Sequence, residues 1–406
     1  AGYGVVAQAT SQAGIATAEA AKAAASAGVA ANIVAEAALP LPDVWAPLSD
    51  SLRMLTGYGR DVLVGGDVVA RMVNFSRSTT KTYRAKDGTL KVAAVNEPAF
   101  EAEGLLMEGQ STNLHTMSET TSSAGSGAGT VTATTFDGSP ALFFKDTNGL
   151  WASVPQGTPT LTIGSIYTVS VFTDKSIAEC TIDVIAGINS PHVTLTSEIK
   201  LGNGLYRRWA SFTAISSTNS CHYYVTTVSG GCKVGRIQVE ALPFASSYIP
   251  TSGAAVTRAA DKAWLNVAGN LIPLSVIALE FNSIAPSSFY QDPNLTRYIV
   301  HTGDGTGITA YLGRFTAQFE DAGYAQGSSI SPGRAVVVGG VSGGKAAIRS
   351  GAGLAAGAAV KGFKQTEIYL CNSGASPADR QVFGHVRNLR IYHRDLTADQ
   401  YKAVAA

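Results

Sequence analysis

Three stretches gather side chains whose types suit recognition chemistry. Ser287-Ser288-Phe289-Tyr290-Gln291-Asp292-Pro293-Asn294 and Glu320-Asp321-Ala322-Gly323-Tyr324-Ala325-Gln326 each set an aromatic ring among amides and carboxylates. That mixture suits a glycan, whose apolar C–H faces stack on rings and whose vicinal hydroxyls take paired hydrogen bonds. Both stretches are rich in turn-formers, and loops on a rigid scaffold commonly carry recognition. Tyr290, Gln291, Asp292, Asn294, Asp321 and Tyr324 are therefore candidate glycan-binding residues, with ordinary solvated loops as the alternative. The third stretch is Leu205-Tyr206-Arg207-Arg208-Trp209. Strand alternation places Leu205, Arg207 and Trp209 on one face and Tyr206 and Arg208 on the other. Trp209 joins the candidates as a stacking platform, against the plainer role of core packing.

No catalytic constellation is legible. A His-Glu-x-x-His helix is missing. The six histidines, at 115, 192, 222, 301, 385 and 393, show no metal-ligand spacing. His301-Thr302-Gly303-Asp304-Gly305-Thr306-Gly307 lacks the spacing of an EF-hand and the Gly-Lys-Ser/Thr of a P-loop, so it reads as a tight turn. A glycosidase needs two carboxylates across a cleft, and scattered acidic residues leave such a pair neither excluded nor located. The expectation is no catalytic residue, no metal and no cofactor, with a glycan-cleaving activity left open. Cys180, Cys221, Cys232 and Cys371 are too scattered for a zinc site or a disulfide scaffold. Cys221 and Cys232 are spaced to face each other across a hairpin, against buried free thiols in strands.

The elements that must position these residues follow from composition. The chain has 406 residues, of which 15% are charged and 43 are glycine, with a net charge of +1. A balance so near neutrality argues against nucleic acid and anionic lipid as partners. No apolar run approaches the roughly 20 residues of a membrane span. The opening Ala1-Gly2-Tyr3-Gly4 lacks the n- and h-regions of a signal peptide, which leaves open a fragment or a processed product. The expected fold is mainly β: tandem β-sandwich or jelly-roll domains after an N-terminal Ala-rich α-helical segment.

Four regions are expected. Residues 1–38 are dominated by alanine, the strongest helix former. Ile15, Ala18, Ala21, Ala25, Val29 and Ile33 recur at steps of three or four, with Lys22 on the same face. So narrow a seam needs opposing copies to bury enough surface, which predicts a parallel bundle between protomers, most simply a trimer. A flexible Ala-rich linker is the alternative. Leu39-Pro40-Leu41-Pro42 stops the helix. Residues 39–110 read as a β-rich connector. Residues 111–261 read as a β-sandwich of carbohydrate-binding type, with short β-branched segments separated by turns. In 262–406, strands are expected at 275–282, 297–301, 308–313, 335–339, 365–371 and 386–393. There the glycine tract 339–357 reads as a hairpin and a close-packed turn. A final helix over 397–404 is capped by Asp395 or Thr397 and turns Leu396, Tyr401 and Val404 inward.

Two groups of motifs go beyond a generic β-protein. The first is Arg77, Thr79, Tyr83 and Gly88, then Gly104-Leu105-Leu106-Met107-Glu108 and Thr112-Asn113-Leu114. The second is Gln238-Val239-Glu240, Ser247-Tyr248-Ile249-Pro250-Thr251 and Thr257-Arg258-Ala259-Ala260-Asp261. Together they resemble the receptor-binding region of bacteriophage side (L-shaped) tail fibres. This chain departs at Phe244-Ala245-Ser246-Ser247, where a Thr more often precedes the Ser, and at Pro98-Ala99-Phe100, where a basic residue is expected. The stretch HVRNLRIYHRDLTADQYKAV (385–404) resembles the last strand and helix of a concanavalin-like or laminin-G-like jelly roll. The resemblance implies a homotrimeric fibre tip on the virion, joined to upstream fibre or tail proteins. It would bind a bacterial surface polysaccharide such as O-antigen or capsule, with no membrane insertion. A depolymerising fibre and a structural segment spacing a more distal tip are the alternatives. The motif residues themselves read as architectural, with Arg258 and Asp261 forming a local ion pair or clamping carbonyls, and Asn113 bonding nearby backbone.

Overall fold

The computed structural model describes residues 2–37, 39–119, 126–127, 130–145, 152–156, 159–186, 192–217, 221–227, 230–267, 272–303, 305–319, 324–351, 353–360, 362–363, 367–374 and 380–405. The protein is mainly β, with one long N-terminal helix, α1 (Gly2–Ala37), and a short C-terminal one, α2 (Ala398–Val404). No helix among the described residues is long and apolar enough to cross a membrane.

Two β-sandwiches account for most of the rest. In the middle one, a six-stranded sheet runs Val131–Phe136, Ser139–Phe144, Cys232–Glu240, Ile166–Thr173, Tyr206–Thr213, Ser197–Lys200. It faces a five-stranded sheet of Ser126–Gly127, Ala152–Gln156, Cys221–Thr227, Cys180–Ala186 and Val193–Thr194. Val169, Val171, Val234 and Ile237 from the first pack on Ile182, Val184 and Val225 from the second. Alternation works as expected here: Arg208 turns inward while Arg207 and Trp209 face out.

The second sandwich pairs an eight-stranded with a seven-stranded sheet. The long central strand Val276–Ser283 of the eight-stranded sheet is buried on both sides, for two different reasons. Ile277, Leu279 and Phe281 enter the core against Ile299, Ile308 and Phe315 of the other sheet. Val276 and Ala278 point outward and are covered by Leu396 and by α2 through Tyr401 and Val404. Thr397 caps α2: its hydroxyl accepts the Gln400 amide at 3.3 Å while the Gln400 side chain accepts the Thr397 amide at 2.9 Å. Asp395 instead holds the amide of Gly343. Gly343 and Gly344 (φ 56° and 75°) turn the hairpin between Gly333–Ser342 and Lys345–Arg349, a two-residue turn closed to side-chain-bearing residues without strain.

The expected connector, 39–110, is not a separate unit. Its strands Val44–Ala46, Phe100–Glu101 and Gly104–Met107 extend the eight-stranded sheet, and Asn74–Ser76 edges the seven-stranded one. The chain thus enters the second sandwich, leaves it to build the middle one, and returns. Ser111–Asn113 on the way out pairs with Val256–Arg258 on the way back. Arg60–Val64 and Asp67–Met72 form a separate hairpin.

Two expectations need correcting. Cys221 does not face Cys232: Cys221 pairs with Gln156 and Ala186 in the five-stranded sheet, whereas Cys232 belongs to the six-stranded one. Arg258 and Asp261 do not pair with each other either. Asp261 accepts from Arg77 at 3.0 Å, from Lys81 at 2.6 Å and from the Glu108 amide at 2.8 Å, and Arg258 lies 3.5 Å from Glu108. Asn113 does bond backbone, giving its side-chain N–H to Ile237 and Ile249 carbonyls and accepting from the His115 and Val239 amides.

A candidate glycan cleft between the sandwiches

The outer face of the six-stranded sheet meets the outer face of the eight-stranded sheet across a hollow of about 290 Å³. One wall carries Trp209, Arg207 and Ile199; the other carries Glu101, Asn282 and His385. Tyr83, Arg84 and Glu103 close one side, and Ser246 and Ser247 sit at the floor. Local sequence explains these orientations. Asn282 and His385 are cross-strand partners and so share a face, while Phe281 next to Asn282 is in the core. Trp209 stands opposite Ser170 and Ser197, small neighbours that leave its ring half-buried rather than covered.

Polar groups around the hollow are held rather than free to swing. The Glu101 carboxylate accepts the Arg84 backbone amide at 2.6 Å and meets the His385 Nε2 at 3.0 Å. The Arg84 guanidinium donates to Glu103 at 2.8 Å. Burial works to raise the Glu103 carboxyl, but the charges of Arg84 and His385 outweigh it and hold it below its ordinary value. Arg207 donates to the Ser170 hydroxyl at 3.0 Å and lies over the Phe172 ring at 5.5 Å. Burial pulls its guanidinium below the ordinary value despite the acidic groups Glu240, Glu108 and Glu101.

Beneath the floor lies the buried ion cluster of the resemblance motifs. Glu108 accepts the amide and hydroxyl of Ser247, and Glu240 accepts the amide and hydroxyl of Ser246. Burial alone would raise the Glu108 carboxyl; Arg258, Lys81 and Ser247 together reverse this and hold it well below the usual carboxylate range. Lys81 bridges Glu108 at 3.0 Å and Asp261 at 2.6 Å, with all three side chains essentially inaccessible. The cluster ties three separate chain segments together, which is an architectural role, and its second effect is to fix the two serines of the floor.

Glu101, Glu103 and His385 each present one donor atom, all within 4.8 Å of one another. A nitrogen and two carboxylate oxygens suit a first-row divalent cation better than calcium or magnesium. The Arg84 guanidinium already pairs with Glu103. No spacing rule finds this group, because His385 lies 284 positions from Glu101. Only the cross-strand register reveals it.

Of the seven residues singled out from the sequence, six are described, and among those Trp209 alone lines this cleft. Tyr290 is a correction. It is wholly buried, its hydroxyl 2.9 Å from that of Ser283 and its ring edge-on to Phe289, so it anchors the short turn Ser287–Tyr290 to the core. Gln291, Asp292 and Asn294 are exposed, and Asp292 accepts the Asn294 amide at 2.9 Å within its own turn. Tyr324 is 58% exposed at the start of Tyr324–Ser329. It pairs with Gln318, at the far end of Arg314–Gln318 from the Gln291 turn, so the two stretches are not brought together. Asp321 lies outside the described residues. A wider hollow of about 570 Å³ lies between Arg60, Phe75, Glu97 and Phe100, but no Trp, Tyr or His is among the described residues lining it.

No family model and no curated protein matches the chain. Among solved structures it is similar to the mouse laminin alpha1 chain domains LG4-5, at 14% identity and TM-score 0.25, covering 62% of this chain and 90% of that one. It is also similar to the N-terminal CBM22-1-CBM22-2 tandem domain of Paenibacillus barcinonensis Xyn10C, at 11% identity and TM-score 0.22, covering 68% and 95%. Superpositions at that level carry no argument about function; the sheets and the cleft described above do.

Proposed function

We propose that this protein is a glycan-binding fibre tip of phage or phage-like (tailocin) type. In this reading it attaches to a bacterial surface polysaccharide such as O-antigen or capsule through the cleft between its two sandwiches. The observation that carries the reading is the half-buried Trp209 ring beside Arg207, facing Glu101 and His385 across a hollow of about 290 Å³. A ring offers a stacking surface to a pyranose, and fixed carboxylate, imidazole, amide and hydroxyl groups around it match its hydroxyls. The tail-fibre setting, with upstream fibre or tail proteins as partners, rests on the motif resemblance. A homotrimer is part of the same proposal: Val6, Ile15 and Val29 on α1 are 65%, 53% and 59% exposed in the single chain, and two further copies would cover them. Weak individual sites would then act together.

The test is binding of the full chain to purified polysaccharides from a panel of Gram-negative strains. Strain-selective binding that Trp209→Ala abolishes supports the proposal. Binding by neither form to any polysaccharide, or equal binding by both, removes the cleft from it. A depolymerase reading has one observation in its favour, the close approach of Glu101 and Glu103. Against it, a general acid needs a raised carboxyl pKa, and Glu103 is held the other way. Release of reducing ends from bound polysaccharide would reverse that preference.

A further inference from the structure

The middle sandwich contains a thiol pair that the cleft does not use. Cys180 begins a strand of the five-stranded sheet and Cys232 begins a strand of the six-stranded sheet, and their sulfurs are 3.7 Å apart across the sandwich interior. Both are buried, at 3% and 0% exposure. They lie just beneath two turns at the same end of the sandwich: exposed Ile177, Ala178 and Glu179 precede Cys180, and exposed Gly230 stands two residues before Cys232. The two sulfurs are not equivalent. Arg208 Nη1 approaches the Cys180 sulfur at 3.3 Å and also donates to the Cys180 carbonyl at 3.0 Å. Cys232 has only the Thr173 hydroxyl, at 3.2 Å, besides its partner sulfur and a long contact to the Lys233 carbonyl.

We propose that Cys180 and Cys232 are a redox-closable pair, forming a disulfide that staples the two sheets of the middle sandwich. Bringing the sulfurs from contact to bonding distance needs a combined movement of about 1.6 Å, within reach of side-chain rotation. The oxidant is a low-molecular-weight disulfide. Cys180, as thiolate beside Arg208, attacks one sulfur of it; a new S–S bond forms and one small thiolate leaves with the electron pair of the broken bond. Cys232 then loses its proton, attacks the Cys180 sulfur and displaces the second small thiolate. Two S–H bonds are lost from the protein, one S–S bond is gained, and two electrons end on the reduced small thiols. The unequal surroundings favour this order: the hydrogen bond with Cys232 and the charge of Arg208 bring the Cys180 thiol below its ordinary value, whereas Cys232 is pushed well above its own.

The experiment uses the full chain, purified under reductant and then incubated with oxidised glutathione. After denaturation and alkylation, the count of reactive thiols should fall from four to two. The intact mass should fall by about 2 Da, two hydrogens. Digestion should yield a Cys180–Cys232 linked peptide, and the melting temperature should rise by several degrees, an increase that reductant reverses. Cys232→Ser should instead retain one glutathione on Cys180. Four reactive thiols after oxidation, a link involving Cys221 or Cys371, or a glutathione adduct persisting on the unsubstituted chain would each overturn the proposal. The unsubstituted chain decides the matter even if the variant fails to fold.

Discussion

Asp261 accepts two cationic side chains and one backbone amide where no water can reach. Asp261→Asn would leave Arg77 and Lys81 short of one countercharge, and breaking a buried pair this way costs about 3–5 kcal/mol. The denaturant midpoint should drop accordingly, with Asp261→Glu giving no rescue because the packed site has no room for another methylene. Glu108 in the same cluster gives a pH dependence. Its folded carboxyl sits well below the usual range, so the unfolded chain takes up the proton first. The stabilisation is therefore complete above the ordinary glutamate value, about 4.3, and is lost as pH falls below it. Denaturant titrations from pH 7 down to pH 3 should show that loss, and Glu108→Gln should flatten it while lowering stability throughout. Trp209→Ala belongs at this scale too. With the ring only half-buried, the melting temperature should change by a few degrees at most, while polysaccharide affinity should fall by about tenfold or more.

Among the elements, α1 meets its own chain at α2, while residues 8–30 are exposed and its one described ion pair, Lys22 with Glu19, is exposed too. Removing residues 2–30, the exposed stretch of α1, should convert a trimer to a monomer by light scattering without altering the melting of the sandwiches. A monomeric full-length chain would instead sink the bundle. The Gly343-Gly344 turn offers a second check: Gly344→Val should cost about 1–2 kcal/mol, because a β-branched residue is strained in the left-handed region. Elements of this kind were readable in advance. Alanine runs, the Thr397 cap, the paired glycines and alternation in 204–214 all act over a few residues. What was not readable depends on partners far along the chain. Tyr290 looks like a loop aromatic until Ser283 and Phe289 are seen to enclose it. His385 looks like an isolated ring until the register sets it against Glu101. The motif residues read as architecture in the sequence, but their partners come from the fold: Arg258 reaches across to Glu108, not along the chain to Asp261.

At the scale of the whole molecule, the second sandwich is assembled from both halves of the sequence. A fragment of 262–406 would lack Val44–Ala46, Asn74–Ser76 and Gly104–Met107 from its sheets. It should show no cooperative unfolding transition, whereas 39–406 should unfold cooperatively; calorimetry of the two distinguishes them. The same threading leaves the middle sandwich attached by two neighbouring strands, Ser111–Asn113 and Val256–Arg258, that run side by side. A unit whose ends meet in this way can be lifted out and another grafted into the same doorway without rerouting the rest of the chain. Such an exchange would replace the Trp209 wall of the cleft and keep the His385 wall. Recognition could then diversify by swapping one cassette while the frame that carries it stays unaltered.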